Sequence, residues 1–485
     1  MTEQREFTFD PQNWEEFRRL GHQMMDDMMD YLQTVRDKPV WQPVPEDIKN
    51  HFKEPLPVSG SPESGVYEEF KKTILPYPLG NTHPRFWGWV IGTGTPLGML
   101  AELLTGAISA QVGGAEHIGA YVELQVLNWL KEIMEFPGDS SGILVSGASM
   151  ANFTGLVVAR NTKAPVDIRK AGLQGSQPRM VMYTSTEAHS CHQKNAEILG
   201  LGCDAIRFIP VDEHYQIRLD LLRDAIECDK ASGDLPFCVI GSAGTVKTGA
   251  YDDMEALADL CHEYSLWLHI DGAFGALVAF TGQSKYLIKG MARADSLAFD
   301  MHKWMSLPFE AACVLIKSRT AHYNTFTLTP DYLAHGDRGA SGAKVWLSDY
   351  GLQLSRSFRA LKVWMALKTH GVEFIGKSIQ MNIDQTQYLV SRIERSSELQ
   401  CMAPTPLNIV CFRYVHSGLS PDALNRLNQE LLLRLHESGV ALVSNATING
   451  QYCLRMANVN HRSSYADFDV LVDKVIELGR ELSKA

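Results

Sequence analysis

From residue 143 onward the chain alternates short apolar runs with stretches of helical periodicity, and nothing else in it limits the fold so strongly. The runs are Ile143–Val145, Met180–Tyr183, Ala205–Ile209, Phe237–Gly241, Leu266–Ile270, Ser296–Phe299 and Ala311–Ile316. Helical segments separate the first five: one from about Ser149, then His189–Leu199, Leu219–Asp229 and Met254–Tyr264. Strands buried on both faces read as continuous apolar runs, and strands joined through helices run parallel. The pattern therefore predicts an α/β fold with a mostly parallel sheet covered by helices. A further helix over Ser355–His370 is followed by Asn408–Val415, Pro421–His436, Val440–Ser444, Tyr452–Ala457 and Tyr465–Leu482, which make a second, smaller α/β unit.

A chain of 485 residues is too long for one small core and suits two or three units. The expected division is an N-terminal helical segment over 1–85, a large domain over 86–375 and a small domain over 376–485. In the first of these, Phe17, Leu20, Met24, Met28 and Tyr31 repeat at helical spacing over residues 14–33. That amphipathic face packs either within the chain or on a second subunit.

The formal net charge of -11 argues against a general nucleic-acid binder, which carries basic patches. Nine cysteines without CxxC spacing fit reduced thiols in a cytoplasmic protein better than a disulfide framework. The polar start, Met1–Asp10, does not read as a signal peptide. Val90–Gly114 holds Glu102 as its one charge and could pass for a membrane span. Its glycines and Pro96 favour a buried helix with flanking loops, so no membrane partner is expected. His189, Cys191 and His192 lie close together but match no usual ligand spacing, and no metal is expected.

The chemistry-bearing residues stand at the ends of the apolar runs, where open α/β sheets bind ligands. Asp300-Met301-His302-Lys303-Trp304-Met305 follows one run, and Asp271-Gly272-Ala273 follows another. A strand-end lysine and a strand-end aspartate suggest pyridoxal phosphate, held by a lysine Schiff base with an acidic partner on its pyridine nitrogen. Gly272 and Ala273 leave room for a flat ring. Taken singly, Lys303 also fits a surface lysine, and Asp271 a helix cap. Ser146-Gly147-Ala148-Ser149 joins a strand to a helix, either as a phosphate cup with Ala148 and Ser149 as donors or as a plain helix start. His189 sits at a strand-to-helix junction, suited to stacking or proton transfer and equally to a structural histidine. Tyr332 begins a long glycine-bearing loop that could close over substrate, or it anchors that loop.

Together these residues carry a resemblance. The chain resembles the group II pyridoxal-phosphate-dependent amino-acid decarboxylases, the family of aromatic-L-amino-acid decarboxylase, over nearly its full length. The segments that carry it are Ala188-His189-Ser190, Trp267–Ala273, His302-Lys303-Trp304, Asp331-Tyr332-Leu333 and Ser355–Lys362. The resemblance implies a fold-type I enzyme, aspartate-aminotransferase-like, acting as a homodimer with sites at the interface. It implies that Lys303 carries the cofactor, Asp271 pairs with the pyridine nitrogen and His189 stacks on the ring. Ala148 and Ser149 would hold the phosphate, with His302 near it and Ala273, Thr245 and Asp300 also at the cofactor. Tyr332 would return a proton to the substrate carbon.

The chain departs from the family pattern in places. Asp300 stands where animal members have Asn, and Val246 replaces a threonine. Trp87-Gly88-Trp89-Val90-Ile91-Gly92 differs from the animal pattern, and Ser357 interrupts an Arg-Arg pair. Phe86, Trp87 and Trp89 could form a flat apolar wall for an aromatic substrate. Arg356 and Ser355 are further substrate candidates, and Ser355 tilts the expectation towards tyrosine-like or dihydroxyphenylalanine-like substrates. Histidine, glutamate, aspartate and diaminobutyrate stay open. An aldehyde synthase is disfavoured because that subgroup has phenylalanine at the loop tyrosine. A non-catalytic protein of the same fold would have lost Lys303 or Asp271, and both are present.

Overall fold

A computed structural model describes residues 8–174, 178–328, 336 and 338–484. Tyr332 lies outside the described residues. Twelve strands are described: β1 (Phe86–Trp87), β2 (Ser141–Val145), β3 (Met180–Ser185), β4 (Ile206–Ile209), β5 (Leu235–Ser242), β6 (Trp267–Asp271), β7 (Ser296–Asp300), β8 (Ala312–Ile316), β9 (Leu399–Cys401), β10 (Ile409–Tyr414), β11 (Leu442–Ile448) and β12 (Gln451–Ala457). The larger sheet has the order β2-β8-β7-β6-β5-β3-β4. Its pairs are parallel from β4 through β7, while β8 runs antiparallel to both β7 and β2.

Successive residues of these strands feed two separate cores. Leu144, Val181, Tyr183, Val239, Leu268, Ile270 and Leu297 point into one. Ile143, Val145, Met180, Met182, Cys238, Ile240 and Trp267 point into the other. Both faces are covered, which explains why the strands carry unbroken apolar runs rather than alternation. The Ala148–Lys163 helix crosses β5 to β8 on the second face. Its Gly155 allows that approach: a Cβ there would stand 2.8 Å from His269 Cε1 on β6.

The smaller sheet has the order β1-β11-β12-β10-β9. Its core joins Val410, Phe412, Leu454 and Met456 to Leu431, Phe468 and Leu471 of the Pro421–Glu437 and Tyr465–Leu482 helices. Two features cross the expected domain limits. Phe86–Trp87, the start of the expected large domain, pairs in parallel with Leu442–Val443 in the small sheet. The Ala360–Glu394 helix, with non-helical backbone at Gly371, runs past residue 375. Residues 96–108 within the apolar stretch form a 13-residue helix with Pro at its first turn. No described helix is long and apolar enough to cross a membrane.

Candidate active site

The carboxyl ends of β6 and β7 lie side by side, with Asp271 opposite Ala298. Asp271 ends β6 and Asp300 ends β7. The turn after β7 carries His302 and Lys303, and the Asp300 N–H donates to the Ala273 carbonyl at 2.8 Å. On the far side, the Trp89–Gly92 segment passes against this turn. A Cβ on Gly92 would meet the His302 carbonyl oxygen at 1.8 Å, so only glycine permits the contact. The result is a cavity of about 370 Å³. Its walls include Trp89, Val246, Phe274 and His189, with Asp271, Asp300 and Lys303 deeper in.

Asp271 is a buried carboxylate with two donors. Oδ2 lies 3.0 Å from His192 Nε2, and Oδ1 accepts the Ala273 N–H at 3.1 Å. Burial alone would raise its pKa, but the bond to His192 and the nearby Lys303 charge hold it well below the usual carboxylate range. Two residues earlier on the strand, His269 is buried between Ser296 Oγ at 2.7 Å and Asn152 Oδ1 at 2.8 Å. Burial brings its pKa down to about 3, so it is a neutral spacer that pins the helix to the strand.

His189 opens onto the cleft, and its Nδ1 accepts the Cys191 N–H at 3.1 Å. Desolvation by the cleft walls lowers its pKa, which leaves a neutral ring. Lys303 Nζ lies 2.7 Å from Asp300 Oδ2. His302 holds the Ala311 backbone through Nδ1, at 3.0 Å from its carbonyl and 3.2 Å from its N–H. Burial lowers the His302 pKa as well. At the start of the Ala148–Lys163 helix the cap is Gly147, which has no side chain to satisfy the first N–H groups. Ala148 and Ser149 line the cavity there. Free helix N-terminal donors facing a cavity suit a phosphate. Thr245 lines the cavity too, although its hydroxyl is held by Thr248 Oγ1 at 3.1 Å and by the Ala250 N–H.

Four expected substrate residues are placed elsewhere. Phe86 packs with Val40 and Leu442. Trp87 stacks on Phe468 with ring centroids 4.9 Å apart, and its Nε1 donates to Ser463 Oγ. With β1 paired to β11, Trp87 points into the small-sheet core and Phe86 into a separate buried cluster; Trp89, half exposed, is the aromatic residue of this segment that faces the cleft. Arg356 is buried and ion-paired with the buried Glu123, and it also donates to the carbonyls of Val112 and Leu144. Its guanidinium is committed to a structural pair. Ser355 lines a separate cavity of about 540 Å³, with Glu102, Gln111 and Lys362.

In the cleft wall and behind it lie residues that the sequence did not mark as site residues. His192, weighed as a metal ligand, is the partner of Asp271. Cys191, His192 and Asp271 bring three potential ligand atoms within 4.8 Å of one another. Burial pushes the Cys191 thiol up to about 12, so it stays protonated. Glu187, also in the wall, pairs with Lys247 at 2.8 Å, and its Oε2 has no hydrogen-bond partner among the described residues. Nothing in the local sequence links these groups; a buried strand-end aspartate needing a donor was the available signal for His192.

Residues 45–415 match the pyridoxal-dependent decarboxylase conserved domain. The chain belongs to this family. It is 33% identical to an aromatic-L-amino-acid decarboxylase of Bacillus atrophaeus over 476 residues, covering 97% of this chain and 96% of the relative. It is 28% identical to a phenylacetaldehyde synthase of a Rosa hybrid cultivar, covering 91% of this chain and 90% of the relative. The solved structure of Oryza sativa TDC with PLP and tryptamine superposes with a TM-score of 0.90 at 23% identity, covering 98% of this chain and all of that one. The enzyme is thus a pyridoxal-phosphate-dependent amino-acid decarboxylase, a carboxy-lyase of fold type I. The cavity fits the cofactor on its own terms. It offers uncapped helix N–H groups for a phosphate, a strongly acidic carboxylate for the ring nitrogen and an amine within the same space.

Proposed function

We propose that the enzyme decarboxylates an aromatic L-amino acid to its amine and carbon dioxide. The observation that carries the aromatic reading is the cleft wall, where Trp89, Val90, Val246 and Phe274 give flat apolar surface next to the charged floor. When bound, pyridoxal phosphate supplies an electron sink for the pair left at the substrate carbon as carbon dioxide departs.

The chain's residues do the rest. Ala148 and Ser149 bind the phosphate through backbone N–H groups, with His302 beside them. Asp271 holds a proton on the ring nitrogen, and His192 holds Asp271. Neutral His189 presents a flat face to the ring, and Ala273 closes the opposite side. Lys303 anchors the cofactor, Thr245 shapes the turn beside it, and Tyr332 delivers the final proton to the substrate carbon. Trp89 excludes water from the mouth. The Trp14–Gln33 helix buries none of its residues within the chain, and exposes Trp14 and Phe17, so it packs on a second copy in a homodimer. The described cysteines are unpaired thiols, which suits the cytoplasm.

One observation favours a second reading. The Oε2 of Glu187 in the cleft wall, without a hydrogen-bond partner among the described residues, suits a side chain bearing an N–H donor, such as imidazole. Carbon dioxide release measured over a panel of L-amino acids tests both. Turnover is expected with tyrosine, dihydroxyphenylalanine, tryptophan or phenylalanine. Release from histidine alone would replace the aromatic reading, and release from none would end it.

A further inference from the structure

Trp304 follows Lys303 in the turn after β7, and its indole enters a buried network of amides. Trp304 is 3% exposed, and its Nε1 donates to Asn382 Oδ1 at 3.0 Å. Asn382, on the Ala360–Glu394 helix, is 1% exposed and has both ends of its amide in use. Its Nδ2 donates to Gln385 Oε1 at 3.2 Å and to the Asn460 carbonyl at 3.0 Å. These bonds fix the amide's direction, because a flipped amide would set N–H groups against the indole N–H and an oxygen against two acceptors. The network continues to residues 458–463, the turn after β12 of the smaller sheet. Gln385 Nε2 donates to the Ser463 carbonyl at 2.8 Å, and Asn458 Nδ2 donates to the Asn382 carbonyl at 3.1 Å. The same turn holds the segment that contains Gly92. Arg462 Nη1 donates to the carbonyls of Thr93 and Gly94, at 3.2 and 3.1 Å, while Gly92 packs against the carbonyls of His302 and Lys303. Residues 458–463 thus hold the lysine's turn twice, once through Asn382 and Trp304 and once through the Gly92 segment.

We propose that Asn382 is a positioning residue for Lys303: through the Trp304 indole it ties the backbone of the lysine's turn to the smaller sheet. The inference rests on the reading of Lys303 as the anchor. A lysine carries its nitrogen on a flexible stem, so the nitrogen is placed no better than the backbone beneath it. A group in a reacting site must be held by residues that are themselves locked by packing and hydrogen bonds. Asn382 meets that condition, since its amide is buried and fully bonded. Removing either partner of the Trp304–Asn382 bond leaves a buried polar group unsatisfied, and the turn loses one of its two holds. A displacement of about 1 Å at a reacting group costs about 100-fold in rate, so a turn still held by the Gly92 segment is expected to lose less.

The test is a double-mutant cycle on the holoenzyme with Trp304→Phe and Asn382→Leu. Each single variant is expected to lower kcat about 10-fold with KM near that of wild type. Each should also weaken the circular dichroism of the bound cofactor, which reports how the ring is held. The double variant is expected to be about as impaired as either single one, because the two residues act through one bond. Trp304→Phe removes the donor while keeping an aromatic ring beside Phe274, and it decides alone if Asn382→Leu folds poorly. Asn428→Ala serves as control: Asn428 is a buried amide bonded to the Tyr414 backbone in the smaller sheet. Its loss should lower stability in urea and leave the dichroism unchanged. Wild-type kcat and dichroism in Trp304→Phe, additive losses in the cycle, or an equal loss of dichroism in Asn428→Ala would each overturn the proposal. Borohydride labelling of Lys303 run alongside separates the two readings. No labelling in wild type removes Lys303 as anchor, whereas labelling with unchanged kcat in the variants removes the role of Asn382 alone.

Discussion

At the scale of single residues, Asp271 is acidic because His192 faces it, and the two act together. A charge-assisted hydrogen bond contributes about 1.5–3 kcal/mol, so His192→Gln should lower turnover about 10- to 100-fold while cofactor still binds. Unchanged turnover at saturating cofactor would mean that Asp271 does not depend on its partner. The same bond has a pH signature. The folded pKa of Asp271 is depressed, so its contribution to stability is present above the unfolded carboxylate value and is lost as pH falls towards the folded one. Urea unfolding of wild type against Asp271→Asn should show a difference that is constant at neutral pH and shrinks below about pH 4. A difference that grows in acid would contradict the assignment.

At the scale of elements, the site depends on where strands end and on which segments lie against them. The strand ends were legible from the sequence: Leu266–Ile270 and Ser296–Phe299 are apolar, and each gives way at once to a charged residue. What was not legible is pairing over long separations. Phe86 and Trp87 look like cleft residues because they are aromatic and adjacent to Trp89. They turn inward because a two-residue strand pairs with Leu442–Val443, and so short a strand has no periodicity of its own. Arg356 looks like a substrate group in the sequence because nothing nearby reveals the buried Glu123. Truncating one partner of a buried ion pair leaves the other charge stranded, at a cost of about 3–5 kcal/mol. Arg356→Met should therefore lose stability of that order in urea unfolding. Normal stability with a raised KM would restore the substrate role.

At the scale of the whole molecule, the Trp14–Gln33 helix has no fully buried residue and leaves Trp14 and Phe17 exposed. The sequence leaves packing within the chain and packing on a second subunit open, and the chain alone covers the face only in part. Sedimentation should give about twice the 54.0 kDa chain mass. Replacing Trp14 and Phe17 together by serine should shift the protein towards monomer and lower activity, whereas a wild type that sediments as a monomer would remove the interface. The function rests on Lys303, the amine just past the end of β7, carrying the cofactor. Borohydride reduction of the holoprotein followed by peptide mass mapping decides this. A reduced cofactor adduct on Lys303, absent from Lys303→Ala, is the predicted result. An adduct on another lysine, or none after full reconstitution, would contradict it.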